Sequence, residues 1–255
     1  MLGLIWLVYV CNGLAFSSLA PVVDPIRDDL SISYGRMGLV LGFWQLVTIV
    51  TFYPLGRLMD RFPTRRLVTI GAVIMGVSMM LRGLSIDFYT LLFAVGLFAF
   101  GGPIISVGAP KVTAQWFTGS ERNFATGAYI SGPIVGIVIG LSLANSVVVP
   151  LTGSWRGIQI VYGITALVAA LIWYTLARDP QRSTAGTEVV RPEPEGQGSA
   201  LRVLLRVGNV RLVLVLAVAS FLLQHGLVNW VPTLLDEAGM TPTQASLWAA
   251  IGVAA

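Results

Sequence analysis

Long apolar runs dominate the chain, and two of them, at 37–54 and 67–84, flank a short basic segment at 56–66. About 20 apolar residues are enough to cross a hydrocarbon core about 30 Å thick as an α-helix. Inside lipid the backbone must satisfy its own hydrogen bonds, which favours helices for such runs. Because the connecting segment is short, we expect the two helices to be antiparallel neighbours. The sequence therefore predicts an all-α, polytopic membrane protein.

Composition supports this fold class. Hydrophobic residues make up 55% of the chain, charged residues only 11%, and the mean hydropathy is +0.80, whereas a soluble domain has about 25% charged residues. This composition predicts the lipid bilayer as a partner. The basic residues lie in short loops, so the net charge of +4 does not indicate a nucleic-acid partner. The sequence contains no phosphate-binding loop, paired metal ligands or nucleophile constellation. We therefore expect no enzyme activity, metal or cofactor.

The order of the apolar runs divides the chain into three parts. Six spans are predicted before a polar segment rich in Pro, Glu, Gly and Ser, at 2–23, 38–58, 67–84, 88–111, 124–148 and 155–177. The polar segment, 178–206, is predicted to be a linker that ends in a short interfacial helix. A seventh span is expected at 212–231, and an eighth begins near Gln244 with about half the residues needed to cross. The predicted parts are a six-helix bundle (1–177), the linker (178–206) and an incomplete second bundle (207–255).

Basic residues are distributed unevenly between alternate loops. With the N-terminus placed inside, twelve of the sixteen Lys and Arg residues fall in inner segments, and the outer segments hold the other four, Arg27, Arg36, Arg82 and Arg156. Cytoplasmic loops of membrane proteins carry such an excess of positive charge. The sequence therefore predicts a multi-pass protein of the cell membrane with its N-terminus and linker in the cytoplasm.

A spaced triplet recurs at a constant offset of 207 residues, as Pro25, Asp29 and Gly38 and again as Pro232, Asp236 and Ala245. The offset equals six spans plus the linker. Both triplets follow an apolar span, pass through an outer loop and enter the next span. The repeat predicts two similar six-span halves, of which the second has barely begun at Ala255. We therefore expect the chain to be a fragment of a longer protein.

The segment 56–66 resembles the loop signature of the major facilitator superfamily of transporters, with Pro63 where the family usually has a second glycine. The resemblance implies two six-span halves that move a small solute by alternating access, by symport or antiport. It also implies a gating role for a set of loop residues, Gly56, Asp60, Arg61, Arg65 and Arg66. The alternative is that the arginines only hold this loop on the inner side.

Span five carries small residues every fourth position, with a proline beside one of them: Ala128, Gly132, Pro133, Gly136, Gly140 and Ala144. A stripe of this kind lets another helix approach closely. Part of it, Gly132-Pro133 with Gly136, also resembles the glycine–proline motif of superfamily antiporters, although Ile137 stands where that motif has another glycine. Helix packing is the preferred interpretation.

Polar and amphipathic residues within the predicted spans are candidates for contact with a substrate or a coupling proton: Asn12, Trp44, Gln45, Lys111, Tyr129, Ser131, Gln224, His225, Asn229 and Trp230. His225, the only histidine, suits proton uptake, although it can equally serve as a hydrogen-bonding residue between helices. Lys111 either extends to the inner interface or binds an anionic substrate. Trp230 is either a cavity residue or an interfacial anchor. Asn229-Trp230 followed by Pro232 resembles the seventh-helix ending of many of these transporters, and span seven resembles that of the branch that carries small anions and organic acids.

Two other classes of function are compatible with a chain of this kind. A non-transporting membrane remnant or scaffold, completed by another chain, would explain the unfinished eighth span. A seven-helix receptor fits poorly, because the linker separates six spans from the rest. The leading hypothesis is a secondary transporter of a small solute.

Overall fold

The computed structural model describes residues 1–178 and 206–254, with the side chains of 52–54 and 57–61 left undescribed. Within these ranges the chain is helical and contains no strand. The α-helices are α1 Leu2–Ser17, α2 Val23–Asp29, α3 Tyr34–Arg61, α4 Thr64–Gly83, α5 Phe88–Trp116, α6 Gly119–Leu143, α7 Val149–Thr152, α8 Trp155–Leu176, α9 Gly208–Glu237 and α10 Pro242–Ala254. The prediction of an all-α fold is confirmed.

Six described helical segments are long and apolar enough to cross a membrane: Leu2–Asp29, Thr64–Gly83, Phe88–Trp116, Gly119–Thr152, Trp155–Leu176 and Gly208–Glu237. Helix α3 is 28 residues long and packs beside α5, which is one of these six segments. Short connections make successive helices antiparallel. This is the architecture of a multi-pass membrane protein.

The helices that correspond to the six spans predicted before the linker form one bundle: α1, α3, α4, α5, α6 and α8. In it α1 packs mainly on α6, α4 lies between α5 and α8, and α3 lies against α5. The backbones of α1 and α6 lie in close contact at two glycines. A Cβ built on Gly136 would meet the Val10 carbonyl oxygen, and one built on Gly13 would lie 2.9 Å from the Ile137 nitrogen. Small residues permit this contact between backbones, as is usual for helices in lipid.

Two prolines inside α5 leave carbonyl groups that neighbouring helices satisfy. A proline has no N–H for the carbonyl four residues earlier, so Pro110 leaves the Ser106 carbonyl without its helical donor. The Tyr9 hydroxyl of α1 donates to that oxygen at 2.8 Å. In the same way Pro103 leaves the Ala99 carbonyl, to which the Thr51 hydroxyl of α3 donates at 3.4 Å. Cross-helix hydroxyls thus let α5 remain helical through both prolines.

Several predicted boundaries are wrong. The first span continues past Val23, through a 3₁₀ turn at Ala20–Val22 that contains Pro21, into α2. The segment 119–123, which falls between the predicted spans 88–111 and 124–148, is the first turn of α6, where the acidic Glu121 suits the positive end of the helix dipole. The segment 201–205, expected to be an interfacial helix, and most of the predicted linker lie outside the described residues.

Helices α9 and α10 pack on one side of the bundle. Helix α10 lies on α6, and α9 contacts the 3₁₀ turn and α10. The buried residues of α9, Val228, Asn229, Pro232 and Thr233, all lie in its second half. The first half of α9 is exposed. The seam between α9 and the six-span bundle is therefore closed at the end where α9 terminates and open at the end of the 56–66 segment.

Candidate substrate cleft

A cleft with a cavity of about 170 Å³ lies between α1, α3 and α5. It is lined by Asn12, Phe16, Trp44, Thr48, Phe98, Gly102, Pro103 and Ser106. The Asn12 Nδ2 atom is buried and has no hydrogen-bond partner among the described residues. The lining therefore combines apolar rings with a few polar groups, as is typical of a small-molecule site.

Aromatic side chains close the end of the cleft near α9. The Trp44 ring makes edge contacts with Phe16 at 5.9 Å and with Phe98 at 5.5 Å, measured between ring centroids. We call Phe16, Trp44 and Phe98 the aromatic partition. His225 of α9 lies on it, with its ring 4.9 Å from the Phe16 ring.

His225 and Asn229 are held by their own helix. The Nδ1 atom of His225 lies 3.0 Å from the Phe221 carbonyl oxygen, and the His225 ring stacks on Phe221 at 3.8 Å. The Asn229 side chain donates to the His225 carbonyl at 2.9 Å. The His225 ring also contacts Phe16 of α1 and Trp44 of α3, and Asn229 lines a small cavity with the same two rings. Helix α9 therefore borders the cleft.

The other predicted candidates lie elsewhere. Tyr129 is buried against Tyr9, with 5.4 Å between ring centroids, and Ser131 accepts a hydrogen bond from the Trp6 indole at 3.1 Å. Gln224 lines a separate cavity of about 290 Å³ between α9 and α10.

Three candidates remain. The Trp230 ring faces the Tyr34 ring at the far end of α9, at 6.3 Å between centroids. Gln45 and Lys111 are half-buried and are not among the residues that line the cleft. The structure therefore brings together Asn12, Trp44, His225 and Asn229 out of the ten candidates.

Arg65, one of the predicted gating residues, contacts the bundle itself. Its Nε and Nη2 atoms donate to the Tyr174 carbonyl at 3.1 and 2.5 Å, and the Trp173 indole donates to the Arg65 carbonyl at 3.0 Å. Cations favour the C-terminal ends of helices because the last carbonyls lack helical donors. Arg65 thus joins the start of α4 to the end of α8. Arg66 is exposed, a Cβ on Gly56 would meet nothing within 4 Å, and the side chains of Asp60 and Arg61 lie outside the described residues.

The small-residue stripe of α6 faces α1. A Cβ on Gly132 would lie 2.8 Å from the Tyr9 Cβ, and one on Gly140 would meet the Ser17 hydroxyl. Ala128 and Pro133 are half-buried on the same helix. The Tyr162 hydroxyl of α8 donates to the Gly140 carbonyl at 2.9 Å. The stripe therefore lies where three helices meet.

The closed end of the seam is joined by polar contacts. Asn145 donates to the Pro21 carbonyl at 2.9 Å, to the Pro242 carbonyl at 3.2 Å and to the Ser246 hydroxyl at 2.9 Å. The Tyr34 hydroxyl lies 2.9 Å from a carboxylate oxygen of Glu237. These contacts link the six-span bundle to α9 and α10.

The two copies of the spaced triplet meet at this end. A cavity of about 350 Å³ is lined by five of the six repeat residues, Pro25, Asp29, Pro232, Asp236 and Ala245. The sixth, Gly38, faces the Trp230 ring. Asp29 is also held by an ion pair with Arg156 and accepts a hydrogen bond from the Trp155 indole at 3.1 Å. Equivalent positions of the repeat thus face each other across the seam.

Arg82 is the main residue that the sequence interpretation missed. The order of spans and loops predicts an outer position for Arg82, but its side chain is buried inside the bundle and is only 3% exposed. Beside it Gln159 donates to the Ser18 carbonyl at 2.9 Å and accepts from the Ser18 hydroxyl at 3.0 Å. A signal was present, because Arg82 lies within the apolar run 67–84, and ionisable residues inside a span are candidate functional sites.

Comparisons with known proteins agree with this architecture. A family model described as Major Facilitator Superfamily matches residues 5–255. The hexuronate transporter of Bacillus subtilis is 24% identical over 249 residues, which cover 95% of this chain and 58% of that protein. The probable L-galactonate transporter of Escherichia coli is 26% identical over 177 residues, which cover 69% of this chain and 38% of that protein. The matched residues thus cover 58% of the hexuronate transporter and 38% of the probable L-galactonate transporter, less than two thirds of either relative.

Solved structures show the same fold. A bacterial homologue of the human lysosomal transporter Spinster, in an inward-facing and unoccupied conformation, superposes with a TM-score of 0.84 at 20% identity. The match covers 99% of this chain and 59% of that one. The same homologue in an inward-facing and occupied conformation gives a TM-score of 0.75.

Proposed function

The chain belongs to the Major Facilitator Superfamily, and on that premise we propose that the whole protein is a secondary transporter that moves a small organic acid across a cell membrane by alternating access. The observation that carries the proposal is the cleft between α1, α3 and α5, which combines aromatic and polar groups inside a membrane-spanning bundle. Relatives named as hexuronate, L-galactonate and galactarate/D-glucarate transporters support a carboxylate-bearing substrate. They do not favour the alternative of a non-transporting scaffold.

The seam of α9 supports alternating access. Such a mechanism needs two halves that close at one end while they open at the other. Here the second half of α9 is packed against the bundle, whereas its first half is exposed. Asn145 and Tyr34 supply contacts at the closed end that must break when the seam opens there.

The direct test is uptake by the whole protein in proteoliposomes. D-Galactonate, D-glucuronate and D-glucarate are supplied as labelled acids, with galactitol and D-glucose as neutral compounds of similar size. We expect saturable uptake of at least one acid and none of the neutral compounds. Uptake of every acid at the rate of protein-free liposomes would overturn the proposal.

A second part of the proposal is that the N-terminus and the linker 178–206 face the cytoplasm. The excess of basic residues in alternate loops supports it. Cys11, the single cysteine, is buried, so new cysteines at the exposed positions Arg66 and Gly153 can be labelled in a Cys11→Ser background. An impermeant maleimide applied to whole cells should modify the cysteine at 153 and spare that at 66. The reverse pattern would contradict the orientation.

We further propose that Gly56, Asp60, Arg61, Arg65 and Arg66 form the gating loop. The support is their position at the open end of the seam and the contact of Arg65 with α8. Asp60→Asn should reduce uptake with little change in the amount of folded protein. Normal uptake after loss of both Asp60 and Arg61 would count against gating.

A coupling proton is the last part of the proposal, with His225 as its carrier. The support is the place of the half-buried ring against Phe16 and Trp44, at the border of the cleft. An inward proton gradient should accelerate uptake in the unaltered protein, and His225→Gln should remove that acceleration. An equal response to the gradient in both proteins would exclude His225 from this role.

A further inference from the structure

Arg82 is a buried cation without a counter-ion in the part of the chain that the structure describes. Its Nη1 atom donates to the Ala15 carbonyl at 3.0 Å and to the Ser18 hydroxyl at 3.3 Å. The Nε atom is buried without a hydrogen-bond partner, and none of the ion pairs among these residues involves Arg82. A buried charge is costly unless it is paired. The Phe98 ring, 5.5 Å away, compensates only part of that cost.

The unpartnered edge of the guanidinium has a specific chemistry. Nη1 donates to the Ala15 carbonyl and the Ser18 hydroxyl, whereas among the described residues Nε has no partner and Nη2 makes no hydrogen bond. The N–H groups of Nε and Nη2 point in the same direction and form a fork that matches the two oxygens of a carboxylate. The partners on the other edge, a carbonyl and a hydroxyl, are neutral. An anion is therefore what this edge lacks.

Arg82 lies beside a small cavity near the cleft. Arg82 and Asn229 line a space of about 10 Å³ together with the aromatic partition of Phe16, Trp44 and Phe98. This volume holds about one water molecule. The same three rings form part of the lining of the cleft of about 170 Å³, where Asn12 presents a second buried donor without a partner. Arg82 and Asn12, each with a buried nitrogen that lacks a hydrogen-bond partner among the described residues, thus line two cavities that share one aromatic partition.

The geometry points to Arg82 as the residue that binds the carboxylate of the transported acid, with the aromatic partition separating it from the cleft in this conformation. This inference rests on the proposed transport function. Rotation of Trp44 or Phe16 would join the small cavity to the cleft and let a carboxylate reach the Nε–Nη2 edge. The hydroxyl groups of the acid would remain on the side of Asn12, Thr48 and Ser106. A neutral polyol lacks the group that Arg82 requires.

The test compares binding and transport in the whole protein for Arg82→Gln, Arg82→Lys and the control Ser18→Ala. Ser18→Ala removes one contact of Nη1 and the hydrogen bond from the Ser18 hydroxyl to Gln159, and it leaves the charge and the unpartnered edge of Arg82 in place. D-Galactonate and D-glucuronate are the probes, and galactitol is the neutral control. A charge-assisted pair of hydrogen bonds predicts that Arg82→Gln raises KM for the acid about ten- to hundredfold. Arg82→Lys should raise it less, because the charge remains but the fork is lost. Ser18→Ala should change KM by less than about threefold.

A merely structural role for Arg82 is separated by melting temperatures measured with and without each acid. Loss of packing lowers both temperatures together and preserves their difference, whereas loss of binding abolishes the difference. If Arg82→Gln does not fold, the measurement is made on Arg82→Lys. A smaller difference between its melting temperatures with and without the acid supports the inference, and an unchanged difference overturns it. An Arg82→Gln protein with unchanged KM and an unchanged acid-dependent difference overturns it as well.

The proposed function can fail independently. If the unaltered protein transports none of the acids but is stabilised by D-galactonate in an Arg82-dependent way, carboxylate binding stands and transport fails. If it transports an acid and Arg82→Gln does so with the same KM, transport stands and the assignment of Arg82 fails.

Discussion

The contact between α1 and α6 can be tested with one methyl group at Gly136. A Cβ at this position would meet the Val10 carbonyl oxygen and would lie 2.9 Å from the Gly13 Cα. Carbon atoms need about 3.5 Å, so Gly136→Ala should force the two helices apart by roughly 1 Å. A gap of this size removes a quarter to a half of the dispersion energy of each affected atom pair.

The magnitude follows from two opposing effects. Alanine in place of glycine favours a helix by about 1 kcal/mol, whereas overpacking in a closely packed core costs about 1–3 kcal/mol and occasionally more. The contact involves backbone atoms, which cannot rotate away, so the upper part of that range applies. We expect Gly136→Ala to reduce the free energy of unfolding by about 2 kcal/mol.

Gly127 provides a matched control on the same helix. Nothing lies within 4 Å of a Cβ built there, so Gly127→Ala keeps the gain in helix propensity without the collision. The two variants should differ by about 3 kcal/mol, which corresponds to roughly 6–12 °C in melting temperature at 2–4 °C per kcal/mol. Thermal unfolding of the purified protein in detergent, followed by size-exclusion chromatography, measures this difference. Equal melting temperatures would refute the described packing of α1 on α6.

Three further predictions concern the ends of the bundle. Asn145→Ala removes hydrogen bonds that join the segment after α6 to α10, and their loss should cost about 1–3 kcal/mol. Hydrogen exchange of the α10 amides should therefore accelerate about ten- to hundredfold. Unchanged exchange rates would contradict this connection. Arg65→Gln removes the two hydrogen bonds from Nε and Nη2 to the Tyr174 carbonyl. Amide hydrogen exchange at the C-terminal end of α8 should therefore become faster, while amide exchange in α5 stays constant. Asp87 accepts hydrogen bonds from the Thr90 backbone and hydroxyl, which hold the pKa of the Asp87 carboxyl below its usual value. Because this pKa is lower in the folded state, the ionised Asp87 carboxylate stabilises the start of α5 at pH values above the unfolded pKa of about 4. That stabilisation is lost as the pH falls through the folded pKa. Amide protection at 88–92 should therefore decrease in acid, and Asp87→Asn should remove this pH dependence.

The sequence by itself determined the class of fold. Runs of about 20 apolar residues leave the backbone no alternative to helices in lipid, and short turns make successive helices antiparallel. The spacing of Gly56, Asp60, Arg61 and Arg65 was enough to indicate the family. The periodic glycines of 132–140 likewise indicated a face for close approach, because this property depends only on side-chain size and helical spacing.

Only the tertiary structure decided which polar residues meet. Side chains of α1, α3 and α9 bring Asn12, Trp44, His225 and Asn229 into one region, because the His225 ring contacts both Phe16 and Trp44. Gln224, one residue before His225, faces α10. Adjacent residues on a helix point about 100° apart, and the sequence does not state which face meets which neighbour.

Arg82 shows the same limit most clearly. In the sequence it is an arginine near the end of an apolar run, a position from which a long side chain normally extends to the membrane surface. In the structure it extends inward to α1, which passes beside the end of α4, and there the Ala15 carbonyl accepts a hydrogen bond from Nη1. Hydrophobicity along the chain determined that this segment lies in the membrane; the packing of α1, α4 and α5 decided that its charge lies in the interior.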